Sequence, residues 1–311
     1  MDEIGRGGYA IVYRALDTEV DRHVALKTIR PIAPRPQEVV ARFRREVEMV
    51  AQLDHPNIVK VFDFGFEHDL YLAMELLHGY PLSDILDGVR GISLRRSIAI
   101  AQGVLSALTE AHARGIVHRD LKPENVFLVQ LDGGREMVKV LDFGIAKSVF
   151  DDSNPNLTLK GRAMGTPTYM SPEQAKGAKL NTRSDIYAVA VLIYEMLCGV
   201  PPFQGDTAMD IMLKHVNDAP PQLTVEALRG TPFDKAIQKG LAKKPEHRFA
   251  DAHEFLAAFG GTAVTAAGHS PSSGPFLSDA EIPVTTVETP SGEGDENERS
   301  GFFAKFFGKR A

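Results

Sequence analysis

The stretch IVHRDLKPENVFL, residues 116–128, decides how the rest of the chain is read. Ile116, Val117, Val126 and Leu128 frame His118, Arg119, Asp120, Lys122, Glu124 and Asn125. A helix surface rarely needs so many polar types between apolar neighbours, so the segment reads as strand, short loop, strand. The loop gathers a base, a cation and a metal-ligand type of residue in one place. Asp142, Phe143 and Gly144 follow at the end of the apolar run MVKVL.

Composition narrows the class. A chain of 311 residues accommodates a domain of about 250 residues with a tail. An apolar fraction of 43% is ordinary for a globular protein, and a net charge of −6 argues against a nucleic-acid surface. The single cysteine, Cys198, excludes an internal disulfide and a cysteine-rich zinc site; within VAVLIYEMLCG it reads as an inert buried thiol. No signal peptide is visible, and no apolar run approaches the roughly 20 residues that span a bilayer. A cytoplasmic protein is expected.

The first 75 residues read as a small sheet lobe. Gly5, Gly7 and Gly8 lie in IGRGGYAIVYRA, where the backbone can turn tightly and offer amides to phosphate. Ile11 and Tyr13 alternate with Val12 and Arg14 along an outgoing strand. Lys27 emerges from the apolar strand HVALKTIR, and PIAPRP breaks the chain after it. Residues 38–53 have helical period, with Val39, Phe43, Glu46, Val47 and Val50 on one face. A carboxylate on that face needs a partner. Lys27 is the main candidate for Glu46, and Arg42, one turn back, is the alternative. HPNIV at 55–59 reads as a turn entering a strand, and 61–77 as two antiparallel strands about a turn near 67–69.

Beyond residue 78 helices dominate. Residues 94–113 read as a long amphipathic helix with His112 on its packed face, ended by Gly115. LDGGREMVKV reads as a hairpin turn entering a strand. Residues 184–203 are almost wholly apolar and predict a helix buried on all sides, capped by Asp185 and stopped by Pro201 and Pro202.

Taken in order, HRDLKPEN, DFG, VALK, Glu46, GTPTYMSPE at 165–173, Asp185 and Arg248 resemble the eukaryotic-like (Hanks-type) serine/threonine protein kinases, in their bacterial branch. The resemblance covers residues 1–259. It implies an α+β two-lobed fold, with an antiparallel sheet lobe (1–75), a hinge near 75–79 and a mostly helical lobe (80–259). It also implies ATP and Mg2+, or Mn2+, as cofactors and protein Ser/Thr hydroxyls as acceptors. Asp120 would be the base and Lys122 would neutralise the transferring phosphoryl group, while Lys27 and Glu46 form the lysine–glutamate pair; Glu48 is the rival for the glutamate. Ile4, Gly5, Gly7, Gly8, Val12, Ala25, Lys27, Met74, Glu75, Leu77 and Phe127 would line the nucleotide site, with Met74 as gatekeeper. Asn125 and Asp142 would hold metal. Thr166 would bond Asp120 and Lys122, Glu173 would pair with Arg248, and Asp185 would brace the catalytic loop. Arg119 would receive a phosphate on the activation segment (145–165), with Thr158 the leading phosphosite and Ser153 its rival. Autophosphorylation in trans and a role in signal transduction follow from the same resemblance.

Two departures stand out. Ala10 replaces the third glycine of the family's glycine-rich loop. Ile4 already lies at that loop, so a shortened first strand is expected. Ala10 and the short start are also what a non-catalytic pseudokinase or scaffold would show. After Gly260 the character changes. Residues 260–300 are rich in Ser, Thr, Pro, Gly and acidic groups and read as disordered. Residues 301–311, GFFAKFFGKRA, combine four phenylalanines with Lys305, Lys309 and Arg310. They read as an unstructured end, a docking peptide for a partner, or a membrane-surface contact.

Overall fold

The computed structural model describes residues 1–7, 10–29, 37–66, 70–88, 91–143 and 167–259. Gly8, Thr158, Ser153, Thr166 and the tail from residue 260 lie outside the described residues. The first lobe is a five-stranded antiparallel sheet of β1 (Asp2–Arg6), β2 (Ala10–Asp17), β3 (Arg22–Ile29), β4 (Val61–Phe66) and β5 (Leu70–Glu75), in the order β1-β2-β3-β5-β4. β1 is a true strand: Gly5 pairs with Val12 and Arg6 with Ile11. The tight turn therefore begins at Gly7, whose amide donates to the Ala10 carbonyl at 2.7 Å. Helix α1 (Gln37–Ala51) lies against this sheet. Its buried residues Phe43, Val47 and Val50 share one core with Ile29, Leu70 and Leu72, as helical period requires.

The second lobe begins with β6 (Gly79–Pro81) and the short helix α2 (Leu82–Leu86). Helix α3 (Leu94–Ala113) follows, with Ser93 accepting from the Arg96 amide at its start. β7 (Val126–Gln130) and β8 (Glu136–Val140) complete a second sheet, ordered β6-β7-β8. Gly79 holds the exit from the hinge against this sheet. Its φ is 154°, and a Cβ there would stand 2.0 Å from the Leu128 carbonyl oxygen.

Helices α4 (Pro172–Ala175), α5 (Thr182–Cys198), α6 (Ala208–Asn217), α7 (Pro232–Gly240) and α8 (Ala252–Ala258) fill the lower lobe. α5 is buried on every side from Ser184 to Tyr194, matching its unbroken apolar sequence. Its start is capped by Asn181 and Ser184 in a reciprocal box, which leaves Asp185 for other work. Its end is set by Gly199 in the left-handed region (φ 73°), ahead of the two prolines expected to stop it.

One expectation fails in an informative way. Ile116 and Val117 form no strand; residues 116–122 are irregular, and a single 3-10 turn, Pro123–Asn125, leads into β7. The Ile116 amide bonds back to the Ala111 carbonyl, and the His118 and Arg119 amides bond to the Asp185 side chain, instead of to a neighbouring strand.

His215, on α6, is fully buried. Its Nδ1 lies 2.8 Å from the Tyr187 hydroxyl, its ring packs edge-on to Phe203, and the Lys243 ammonium donates to its carbonyl at 2.8 Å. Burial, helped by the Lys243 charge, pushes its pKa down to about 4. The unfolded chain therefore takes up a proton here between pH 6.5 and 4 and the folded chain does not. This site's stability is complete above pH 6.5 and is lost as the pH falls. Over that interval the wild type should lose on the order of 3 kcal/mol relative to a His215→Leu protein. Urea unfolding at pH 7 and pH 4.5 measures the difference; parallel losses in the two proteins would refute it.

Candidate active site

The loop 118–125 is held from below by one carboxylate. Asp185 is 2% exposed. Its Oδ2 accepts from the His118 amide at 2.8 Å, and its Oδ1 from the Arg119 amide at 2.9 Å. The His112 ring, on α3, contacts the same Oδ2 through Nε2 at 2.8 Å. Arg119 sits in the left-handed region at φ 64°, an unfavourable conformation for a side chain of its size. Those two amide bonds secure it. Asp120 then projects into the cleft, with the Lys122 ammonium 3.9 Å from its Oδ2. The Asn125 amide nitrogen donates to the Asp120 carbonyl at 2.8 Å. That contact leaves the Asn125 side-chain oxygen as its remaining ligand atom.

His118 couples this loop to the next strand. Its Nε2 is 2.8 Å from the Leu141 carbonyl, and its ring packs against Phe143. Leu141 also donates its amide to the Asn125 carbonyl at 2.8 Å. Asp142 follows at φ 49°, a second left-handed residue. Its Oδ2 pairs with the Lys27 ammonium at 2.5 Å. Desolvation by the cleft opposes ionisation of Asp142. The Lys27 charge and hydrogen bond, with His118 and Lys122 nearby, outweigh it and hold the carboxyl below the usual carboxylate range.

Lys27 thus makes its ion pair with Asp142, where the sequence reading expects Glu46. Glu46 instead lies 4.0 Å from the Arg119 guanidinium. Both lysine and glutamate still face the same cleft, from β3 and α1. Ile4, Val12, Ala25, Val59, Leu77, Phe127 and Leu141, drawn from both lobes, form one buried apolar cluster, with Met74 packed against it. Phe127 is fully buried in that layer. Ala10 is the first residue of β2 and pairs with Ile29, so this position needs no glycine geometry.

The lobes are stapled behind the cleft. The Lys139 ammonium, on β8, donates to Glu75 Oε1 at 2.6 Å and to the Ile58 carbonyl at 3.2 Å. Glu75 Oε1 also accepts from the Lys60 amide at 2.8 Å. Ile58 bridges to Val140, and the Asn57 side chain donates to the Val138 carbonyl at 2.8 Å. HPNIV therefore joins the second sheet before β4 begins. On the open side of Asp120, Tyr169 donates to Glu195 at 2.5 Å. Burial raises the Glu195 carboxyl, with Glu124 and Asp87 adding like charge.

Farther down, Glu173 and Arg248 form a buried bidentate pair, both contacts at 2.8 Å. Ser184 donates to the same carboxylate at 2.7 Å. Burial opposes the Glu173 charge, but the Arg248 bond and charge prevail and lower its pKa.

A model of the protein kinase domain matches residues 1–257. The chain belongs to the protein kinase family. This kinase domain is 42% identical over 260 residues to the serine/threonine-protein kinase pkn3 of Myxococcus xanthus, covering 82% of this chain and 48% of that protein. It is 37% identical over 261 residues to the serine/threonine-protein kinase PknB of Mycobacterium tuberculosis, covering 82% of this chain and 41% of PknB. Among solved structures, the kinase domain of M. tuberculosis PknI matches with a TM-score of 0.65 and 28% identity, over 83% of this chain and 92% of that one. The likeness places the domain with the bacterial Hanks-type serine/threonine kinases. The chain spans about half, or less, of the length of these curated relatives.

Sequence reasoning missed three site residues of this kinase domain. On sequence His112 reads as a packed residue, yet a histidine on a buried stripe needs a polar partner, and Asp185 is that partner. Lys139 lies in the apolar strand MVKVL, and its burial asked the same question. The Glu75 side chain was overlooked because the resemblance concerns only its backbone.

An Asp185→Asn protein keeps a single carbonyl oxygen for donors that now use two. It should lose about 1–3 kcal/mol of stability, since a buried amide is left without an acceptor. Urea denaturation measures this, and a change below about 0.5 kcal/mol, the size expected at an unremarkable surface site, would contradict the bracing role.

Proposed function

We propose that this domain transfers the γ-phosphoryl group of ATP to serine or threonine hydroxyls of proteins. One observation carries the reading: Asp120, Lys122, Asn125, Asp142 and Lys27 converge on one cleft whose back is an apolar slot. Phosphoryl transfer needs positioning and charge neutralisation more than covalent chemistry, and this set supplies both. The apolar layer from Ile4 to Leu141 takes the adenine, with the Glu75 carbonyl and Leu77 amide at its edge. Gly5, Gly7 and Gly8 approach the phosphates, and Lys27 leaves Asp142 to bind them. The acceptor oxygen forms its bond to γ-phosphorus as the bond to the β-phosphate oxygen breaks. Asp120 receives the hydroxyl proton, and Lys122 offsets charge on the moving group.

Asn125 and Asp142 would hold Mg2+, or Mn2+, which neutralises the phosphates when bound. The donor set fits such an ion. Asp142 is ionised, Asn125 has an oxygen left over, and nucleotide sites need only one or two protein ligands. Among the described residues no three His, Cys, Asp or Glu side chains are grouped so as to hold a metal ion by themselves.

Regulation fits the same site. A phosphate on Thr158 would draw Arg119 from Glu46, and Thr166 would bond Asp120 and Lys122 to favour Ser/Thr acceptors. We place the activity in the cytoplasm, in signalling, with the chain itself in trans among its substrates. Among the described residues no helix is long and apolar enough to cross a membrane.

Incubation with radiolabelled ATP should label the wild-type chain and a generic protein acceptor. Asp120→Asn should reduce labelling at least about 100-fold, the usual contribution of a positioned base. Equal labelling by the variant would overturn the role of Asp120. Phosphopeptide mapping should find Thr158 modified; full activity with no phosphate in residues 145–165 would exclude that regulation.

A further inference from the structure

We propose that helix α6 and the hollow beside it are the docking surface for the chain's own segment GFFAKFFGKRA, residues 301–311. Two large apolar side chains of α6 face water, Met209 at 60% and Leu213 at 50% exposure. They are four residues apart and so share one face. Beside them opens a hollow of about 610 Å³, lined by Gln204, Asp206, Asp210, Leu213, Lys214 and Asp218 among others. Its cation is already engaged, because Lys214 donates to the Gln204 carbonyl at 2.6 Å. Asp210 is also engaged, by the amide and hydroxyl of Thr207. Asp206 and Asp218 make no side-chain hydrogen bond or salt bridge among the described residues, although the Lys243 charge acts on Asp218. The surface is thus an apolar strip with an acidic margin.

The segment 301–311 has the complementary character. Phe302, Phe303, Phe306 and Phe307 repeat at four, like Met209 and Leu213, and Lys305, Lys309 and Arg310 meet no acidic residue within it. It lies beyond residue 257, where the kinase match ends, so phosphoryl transfer does not account for it. Reach is not limiting. The connection 260–300 can extend up to roughly 140 Å, against a radius of gyration of about 18 Å for a domain of this size. Tethering gives a millimolar effective concentration, so a contact of modest intrinsic affinity suffices.

Hydrogen–deuterium exchange of the whole chain tests this independently of phosphoryl transfer. The comparison protein carries Phe302→Ser, Phe303→Ser, Phe306→Ser and Phe307→Ser, all outside the described fold. Amides of residues 208–217 should exchange roughly fivefold or more faster in that protein, as local protection is lost. Adding synthetic peptide 301–311 should restore slow exchange, and Met209→Glu with Leu213→Glu should abolish that response. The protection should survive tenfold dilution. Three results would overturn the proposal. The first is equal exchange in both proteins. The second is protection that falls on dilution, which assigns the segment to a second copy. The third is loss of binding to anionic phospholipid vesicles with no change at 208–217, which assigns it to a membrane surface.

Discussion

The Asp185 carboxylate, nearly sealed from water, accepts hydrogen bonds from two consecutive amides, those of His118 and Arg119. Bonds to a charged acceptor contribute about 1.5–3 kcal/mol each. Together they offset the cost of holding Arg119 at φ 64°. That conformation turns the chain so that Asp120 faces the cleft while His118 faces inward toward Leu141. The burial of α5 on every side makes this possible, because a helix packed all round is a rigid base for one inward-facing acid. His112 adds a third contact from α3, so the loop is fixed by the two central helices of the lower lobe.

The same logic extends upward. His118 reaches the Leu141 carbonyl, Leu141 reaches the Asn125 carbonyl, and Asp142 follows with its carboxylate on Lys27. A continuous chain of bonds therefore runs from α5 to β3. Behind it, the Lys139–Glu75 contact and the Asn57–Val138 contact tie the two sheets together. A lysine and a glutamate can share this poorly hydrated place only as a pair that also satisfies the Lys60 amide and the Ile58 carbonyl. The front of the cleft is held differently. Lys27 and Asp142 neutralise each other across it, a contact that an anionic ligand can replace on the lysine side. Arg119 is 42% exposed and stands near Glu46, so it is open to a competing anion.

Much of this was legible in the sequence, for identifiable reasons. The two-lobed plan, α3 and the buried α5 were readable because apolar period reports burial directly. The convergence of Asp120, Lys122, Asn125 and Asp142 came from ordered motifs. What escaped were contacts that depend on tertiary approach. Residues 116–117 look like a strand, since two consecutive apolar residues cannot say that the Ile116 amide will bond back to Ala111 and the next two amides, of His118 and Arg119, to Asp185. Lys27 prefers Asp142 to Glu46 because their relative positions depend on how the lobes meet. Gly199 outranked Pro201 and Pro202 because a left-handed residue ends a helix where it stands, while proline acts only on what precedes it. His112 and Lys139 sat on apolar faces where their burial posed a question that local pattern does not answer.

On the proposed function, Lys27 and Asp142 are two halves of one nucleotide site, paired with each other until phosphate and metal separate them. Calorimetric titration of an ATP analogue, with and without Mg2+, into the wild type and an Asp142→Asn protein tests it most directly. Mg2+ should tighten binding to the wild type at least about tenfold, a coupling of about 1.4 kcal/mol, and Asp142→Asn should abolish the difference. An equal Mg2+ effect in the two proteins would contradict it.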